Sequence, residues 1–234
     1  MKKRIIAIGG GEIRERTTLE IDKKIAEFAK EHAGEQRANA LFIPTASHDF
    51  MPYYNSFHKV YTGLFDIKTD VALTVFREPN LEHLKEKFRK ADVIYVGGGD
   101  TVFMIEHWKK TGMLSMIEEA YQRGVLLAGL SAGAICWFSD IYTDSLKTED
   151  GAQYAMFQGL NWIKGIISPH YGQRMLDFDK IVCYNYSCAY GIEDNGALYI
   201  EDDEIVGSIS SGGKAYRIVN TDGILEKREI EKAF

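Results

Sequence analysis

Residues Val125 to Cys136 read Val-Leu-Leu-Ala-Gly-Leu-Ser-Ala-Gly-Ala-Ile-Cys, an apolar run that enters a G-x-S-x-G turn and leaves into small, helix-forming residues. The stretch predicts a buried strand, a sharp turn and a helix, and the rest of the chain is arranged around it.

A serine on such a turn sits in a strained backbone conformation, and Gly129 and Gly133 remove the side chains that would collide there. The hydroxyl of Ser131 is then lifted clear of the sheet. The next backbone N–H, that of Ala132, points toward the N-terminus of the following helix, where a carbonyl oxygen turning into an oxyanion is held. This is the geometry acyl transfer needs. The same residues also suit a plain strand-to-helix turn with a small capping serine, so the surrounding chain has to decide.

Arg4 to Ile8 forms a β run that ends in Gly9-Gly10-Gly11, and Thr18 to Glu31 carries a broad apolar stripe near a period of 3.6. A dinucleotide fingerprint is not met here, because position 14 is Arg14 where G-x-G-x-x-G requires glycine. Ala40 to Pro44 predicts a second strand, with the polar loop Thr45 to Asp49 at its end, then a helix from about Pro52 through Phe65. A third strand is expected within Ile67 to Val75, a helix over Leu81 to Lys90, and a fourth strand over Asp92 to Val96, which stops at Gly97-Gly98-Gly99-Asp100-Thr101. Two helices, Val102 to Lys110 and Met113 to Arg123, break at Gly112 and lead to the Ser131 strand.

Alternating short strands and amphipathic helices imply a mainly parallel sheet covered on both faces, whose ligands bind beyond the C-terminal strand ends. The Thr45 to Asp49 loop, Gly97 to Gly99 and Ser131 all fall on that edge. After about residue 139 the pattern changes: Gly165 to Tyr171 is a short strand ending in His170, a helix spans Gln173 to Tyr184, and from Ala189 the chain reads as a β meander. With 234 residues, only 4 Pro and no linker-like stretch, one domain over 1–234 is expected.

The net charge of −6 argues against affinity for nucleic acid. Ile5 to Ile8 is too short for a signal h-region or a membrane span, so a cytoplasmic protein is expected. The three cysteines, Cys136, Cys183 and Cys188, show neither disulfide-framework nor zinc spacing, and no cofactor or metal is called for.

An elbow serine needs a general base and an acid that orients it. Among the six histidines, His32, His83 and His107 fall on charged helix faces and His58 in an aromatic-rich helix. His48 follows a strand at the site edge, in position to touch substrate. His170 ends an apolar strand directly after Pro169, far enough beyond Ser131 for one crossover back to the same edge. It is the candidate base. The backbone N–H of Gly98 or Gly99 is placed to complement that of Ala132 toward an oxyanion.

Gly97-Gly98-Gly99-Asp100-Thr101, Gly129-Leu130-Ser131-Ala132-Gly133-Ala134 and Pro169-His170-Tyr171, in that order and separation, resemble the aspartyl dipeptidase (peptidase E) family, whose wider relatives include the cyanophycinases. Similarity extends from the Ile6 to Gly11 strand to the Gly191-Ile192-Glu193-Asp194 and Ser211-Gly212-Gly213 turns. The resemblance implies a three-layer α/β/α sandwich, flavodoxin-like and similar to class I glutamine amidotransferases, with serine in place of the amidotransferase cysteine. It also implies a metal-independent serine peptidase with Ser131 as nucleophile and His170 as base, and Asp100 and Thr101 beside the substrate. In the family the third member is an acid a little over a dozen positions after the serine. Asp144 comes closest, with Asp140, Glu149 and Asp150 as rivals; the glutamate of cyanophycinase-like members favours Glu149, and Glu193 stays open. Relatives hold an acidic substrate side chain with an arginine beyond the histidine motif. Here the loop is shorter and Arg174 is the nearby arginine, so the preference for aspartate is left open.

The expected function is therefore serine-type hydrolysis of short peptides through an acyl-enzyme. Two alternatives stand beside it: an amidase or cyanophycinase-like isopeptide hydrolase using the same residues, and a non-catalytic binding protein on the same fold.

Overall fold

The structure, a computed structural model, describes residues 2–76, 80–145 and 153–234. The first half of the chain alternates strand and helix: β1 (Arg4–Ile8), α1 (Leu19–Ala33), β2 (Asn39–Ile43), α2 (Met51–Phe65), β3 (Lys68–Val71), α3 (Leu81–Lys90), β4 (Val93–Val96), α4 (Thr101–Thr111), α5 (Met113–Gln122) and β5 (Leu126–Leu130). A single helical turn, α6 (Ala132–Ile135), follows, then β6 (Phe138–Thr143), β7 (Ala155–Gln158), β8 (Ile163–Ser168) and α7 (Tyr171–Asn185). The chain finishes with β9 (Cys188–Ile192), β10 (Gly196–Glu201), β11 (Glu204–Ser210), β12 (Ala215–Thr221) and β13 (Ile224–Glu229).

β5 lies inside a seven-stranded sheet of order β11-β10-β1-β5-β4-β2-β3, with parallel neighbours on both sides. All five of its residues are buried, which is why it is written as an unbroken apolar run instead of an alternating one. One face of the sheet, with Ile6, Ile8, Phe42, Tyr95 and Ala128, packs on α1 and α2. The opposite face, with Ile5, Ala7, Ile94, Val96 and Leu127, packs on α3, α4 and α5. This is the expected α/β/α sandwich. Strands β2 to β5 reproduce the 2-1-3-4 order of a flavodoxin-like sheet, and β1 occupies the place of the fifth parallel strand. The connections after β1 and β5 leave toward opposite faces, α1 joining one core and α6 the other, so a crevice opens where those two neighbouring strands end.

The C-terminal third departs from a simple meander. Strands β10 and β11 join the main sheet, β10 antiparallel to β1 and β11 antiparallel to β10, whereas β12 and β13 belong to a second, six-stranded sheet of order β13-β12-β9-β8-β6-β7. The strands read from the sequence are present, but two sheets share them. Two members of the second sheet, β6 and β7, are missing from the sequence reading, and β9 falls at the start of the expected meander without being separated there as a strand of its own. Ser139 and Asp140 break the apolar pattern of β6, while β7 and β9 span only four and five residues. This sheet docks through Phe138, Ile141, Ile163, Ile167 and Ile192 onto the core beneath α4 and α5. Aromatic contacts continue across the junction from Trp108 to Trp137 (6.1 Å), Trp137 to Trp162 (5.1 Å) and Trp162 to Tyr121 (5.5 Å). The far face of the second sheet is covered by α7, through Tyr171, Phe178 and Val182. Among the described residues, no helix is long and apolar enough to cross a membrane.

Candidate active site

Ser131 stands at the tip of β5 with φ 51° and ψ −105°, a left-handed-side conformation that a residue with a Cβ adopts only under constraint. The constraint is visible on both flanks. A Cβ on Gly129 would lie 2.2 Å from the Gly133 carbonyl oxygen, and one on Gly133 would lie 2.3 Å from that of Val96, so the turn closes only with glycine at both positions. The helix that follows is shorter than the sequence reading requires. Only one turn, Ala132 to Ile135, separates the elbow from β6, so the N–H of Ala132 acts as a local donor without a long helix behind it.

His170 is reached from the second sheet. β8 ends at Ser168, and His170 takes φ 49° and ψ 38° as the residue before α7. Its Nε2 lies 3.0 Å from Ser131 Oγ. The two residues nominated from the sequence are therefore in contact. The carboxylate on the other ring nitrogen belongs to Asp194: Nδ1 donates to Oδ1 at 2.5 Å, and Gln173 Nε2 donates to Oδ2 at 3.0 Å. Asp194 sits in the turn between β9 and β10, where the chain passes from the second sheet into the first.

Three successive carbonyls at the end of β1 and just beyond it tie these segments together. The oxygen of Ile8 accepts from Ser131 N (2.9 Å), that of Gly9 from His170 N (3.1 Å) and that of Gly10 from Asn195 N (2.9 Å). The imidazole and the carboxylate rest against Gly10, where a Cβ would come within 1.9 Å of Asp194 Oδ1 and 2.4 Å of His170 Nδ1. The glycine turn read as an ordinary strand-to-helix connection is thus the floor of the hydroxyl–imidazole–carboxylate line.

Asp144 is not on that line. It accepts from Arg174 Nη2 at 3.1 Å. Arg174 is 5% exposed, donates Nη1 to the Tyr142 carbonyl at 3.2 Å and stacks its guanidinium 4.5 Å above the Tyr154 ring. A buried cation needs a counter-charge, and Asp144, just past the end of β6, supplies it. Glu193 points elsewhere, accepting from Lys214 N (3.0 Å) and the Tyr216 hydroxyl (3.2 Å). Asp140 lies within β6, paired opposite Gln158. Glu149 and Asp150 fall outside the described residues.

A cavity of about 470 Å³ opens at Ser131 and His170, lined also by Glu12, Ile13, Arg14, Phe50, Tyr53 and Gly98. The substrate contacts expected at His48, Asp100, Thr101 and Arg174 are not among its lining residues. His48 packs on Phe103 with ring centroids 4.2 Å apart. Asp100 caps α4 by accepting from Phe103 N at 2.9 Å, and Thr101 is buried with its N–H on Ser145 Oγ at 2.8 Å. Arg174 is held by the contacts just described.

Of the proposed oxyanion donors, Ala132 and Gly98 adjoin Ser131, but the Gly98 N–H donates to the Tyr53 hydroxyl at 3.2 Å. Gly99 also lines the cavity, and a Cβ built on it would lie 2.2 Å from the Ala46 carbonyl oxygen, so the main chain comes this close only as glycine. Cys136 closes α6, and burial pushes its thiol well up, so it is no rival nucleophile. A larger cavity, about 620 Å³, lies between the start of α1 and β11–β12, and neither Ser131 nor His170 lines it.

A model of peptidase family S51 matches residues 5–207. An uncharacterized peptidase, YgaJ, of Bacillus subtilis (strain 168) is 33% identical over 224 residues, covering 93% of this chain and 92% of the relative. Among solved structures, a peptidase from an acI-B1 Actinobacterium superposes with a TM-score of 0.74 at 20% identity, covering 100% of this chain and 96% of the other. A putative peptidase E protein from Listeria monocytogenes EGD-e superposes with a TM-score of 0.62 at 21% identity over 90% of this chain and 99% of its own.

Proposed function

Because this chain belongs to peptidase family S51, we propose that it is a serine peptidase that hydrolyses short peptides through Ser131, His170 and Asp194. The observation that carries the reading is the unbroken line Ser131 Oγ, His170 Nε2, His170 Nδ1, Asp194 Oδ1.

With Asp194 accepting from Nδ1–H, the tautomer is fixed and the Nε2 lone pair faces the serine hydroxyl. Ser131 Oγ attacks the scissile carbonyl and passes its proton to Nε2. The carbonyl π pair moves onto oxygen, where main-chain and side-chain donors beside the elbow hold the charge. When the C–N bond breaks, Nε2 returns that proton to the leaving amine, and an acyl-enzyme is left. Water, deprotonated by the same nitrogen, releases the acid and restores the serine.

The cavity suits a substrate of a few residues. Glu12 and Arg14 stand on the loop at its rim, and Arg14 is 81% exposed, with Glu15, at 3.7 Å, its one ion-pair partner among the described residues. A carboxylate and a guanidinium so placed can meet the ammonium and carboxylate ends of a short zwitterionic peptide, while Phe50 and Pro52 offer apolar surface.

The test is hydrolysis of a dipeptide panel by wild type and Ser131→Ala. Loss of several orders of magnitude with an unchanged fold is expected. Full activity in the alanine variant overturns the mechanism, and turnover confined to β-linked or side-chain amides overturns the substrate class.

A further inference from the structure

We infer that the hydroxyl of Tyr53, rather than the amide of Gly98, is the donor that joins Ala132 N–H in holding the oxyanion formed at Ser131. This rests on the peptidase reading above and assigns one more residue to it.

Tyr53 lies in the first turn of α2 and lines the cavity that contains Ser131 and His170. Its ring is held edge-on to Phe42, with centroids 5.0 Å apart and an interplanar angle of 72°. The position also depends on the glycine run after β4. A Cβ on Gly97 would lie 2.8 Å from Tyr53 Cε1, so this glycine is what admits the ring. Gly98 then donates its N–H to the phenolic oxygen at 3.2 Å, and a Cβ built on Gly98 would come 3.5 Å from Ser131 Cβ. The Gly98 amide, one of the candidate oxyanion donors, is therefore already engaged by the phenol.

A phenol has one proton to give and lone pairs to receive. Here the oxygen receives from Gly98, while among the described residues no acceptor is paired with its own proton, and the residue lines the cavity that holds Ser131. Burial drives the phenol far above its ordinary range, so it stays protonated, and an oxygen that accepts from an amide becomes a stronger donor. The chemical balance is unchanged by this role. Tyr53 keeps its proton throughout and only hydrogen-bonds to the oxygen that gains the carbonyl π pair. The serine proton still travels to His170 and on to the amine.

The experiment compares Tyr53→Phe, Ser131→Ala and wild type on the dipeptide turned over fastest, together with inhibition by the matching aminoacyl aldehyde, whose serine adduct carries an oxyanion. For Tyr53→Phe, kcat is expected to fall about 10²-fold with KM nearly constant, and the aldehyde to bind more weakly by a similar factor. A second protein carrying trifluorotyrosine at position 53 preserves the packing. Its more acidic phenol is expected to bring the alkaline loss of kcat to lower pH than in wild type. Tyr53→Phe turning over like wild type, or losing only through KM, overturns the inference while an inactive Ser131→Ala leaves the serine mechanism standing. An unchanged pH profile in the fluorinated protein also overturns it. Undiminished hydrolysis by Ser131→Ala overturns both.

Discussion

Gly10 and Asp194 are packed so closely that a Cβ on the glycine would sit 1.9 Å from the carboxylate oxygen that holds His170. Gly10 does not have a left-handed φ, so it is there for want of a side chain and not for backbone freedom. Gly10→Ala is expected to fold and to lose about 10²-fold or more in kcat/KM, because the carboxylate and imidazole must move off the serine. Dipeptide hydrolysis beside a thermal melt checks this, and an active alanine variant contradicts it.

The two candidate acids part cleanly by mutation. Asp194→Asn leaves His170 with a partner that no longer fixes its tautomer, and kcat is expected to fall by about 10²- to 10⁴-fold at little cost in stability. Asp144→Asn should keep kcat and lose about 1 kcal/mol of stability, since it removes the counter-charge of the buried Arg174 but itself faces solvent. Kinetics and urea melts on both variants decide; the reverse assignment of effects would return the acid to Asp144.

The difference between those acids shows what the chain discloses before it folds. Ser131 and His170 are legible because each is marked locally, one by the glycines of its turn and one by an apolar strand that ends beside it. Asp194 has no such mark. Its place depends on β9 lying in one sheet and β10 in the other, a pairing between residues far apart in sequence that no periodicity reveals. For the same reason the Gly9-Gly10-Gly11 turn passes for a simple connection, although Gly10, lacking a positive φ, is needed for what packs on it. Arg174 illustrates the converse: a charged residue near the base, read as a substrate contact, is drawn away by its own burial.

Ser131 pays for its position in backbone strain, and that too is measurable. Ser131→Gly and Ser131→Ala should both be inactive, but only glycine tolerates φ 51° without penalty. The glycine variant is expected to be more stable than the alanine variant by about 1 kcal/mol, read as the difference in denaturation midpoints. Equal midpoints would mean that the elbow is not strained.

Away from the site, Asp22 lies on the buried face of α1, accepting from the Thr18 and Tyr61 hydroxyls at 2.7 and 2.9 Å, and burial raises its carboxyl from 3.8 to about 6. The folded chain thus holds this proton when the unfolded chain has released it. The stabilisation is complete below the unfolded pKa and is lost as pH rises through the folded one, so between about pH 4 and 6 this group removes roughly 3 kcal/mol. Asp22→Asn should flatten that part of the stability profile relative to wild type. Urea titrations at pH 4.5 and 7 test the point, and parallel profiles for the two proteins refute it.

The hydroxyl rides on one sheet and the imidazole on the other, and the indoles in contact from Trp108 through Trp137 to Trp162 are part of what joins the two. Under the proposed mechanism, loosening at that seam is expected to part Ser131 from His170 before the strand ladders on each side are lost. Turnover in this molecule is therefore a gauge of how well its halves are seated, and gentle heating should silence it before circular dichroism registers any loss of secondary structure.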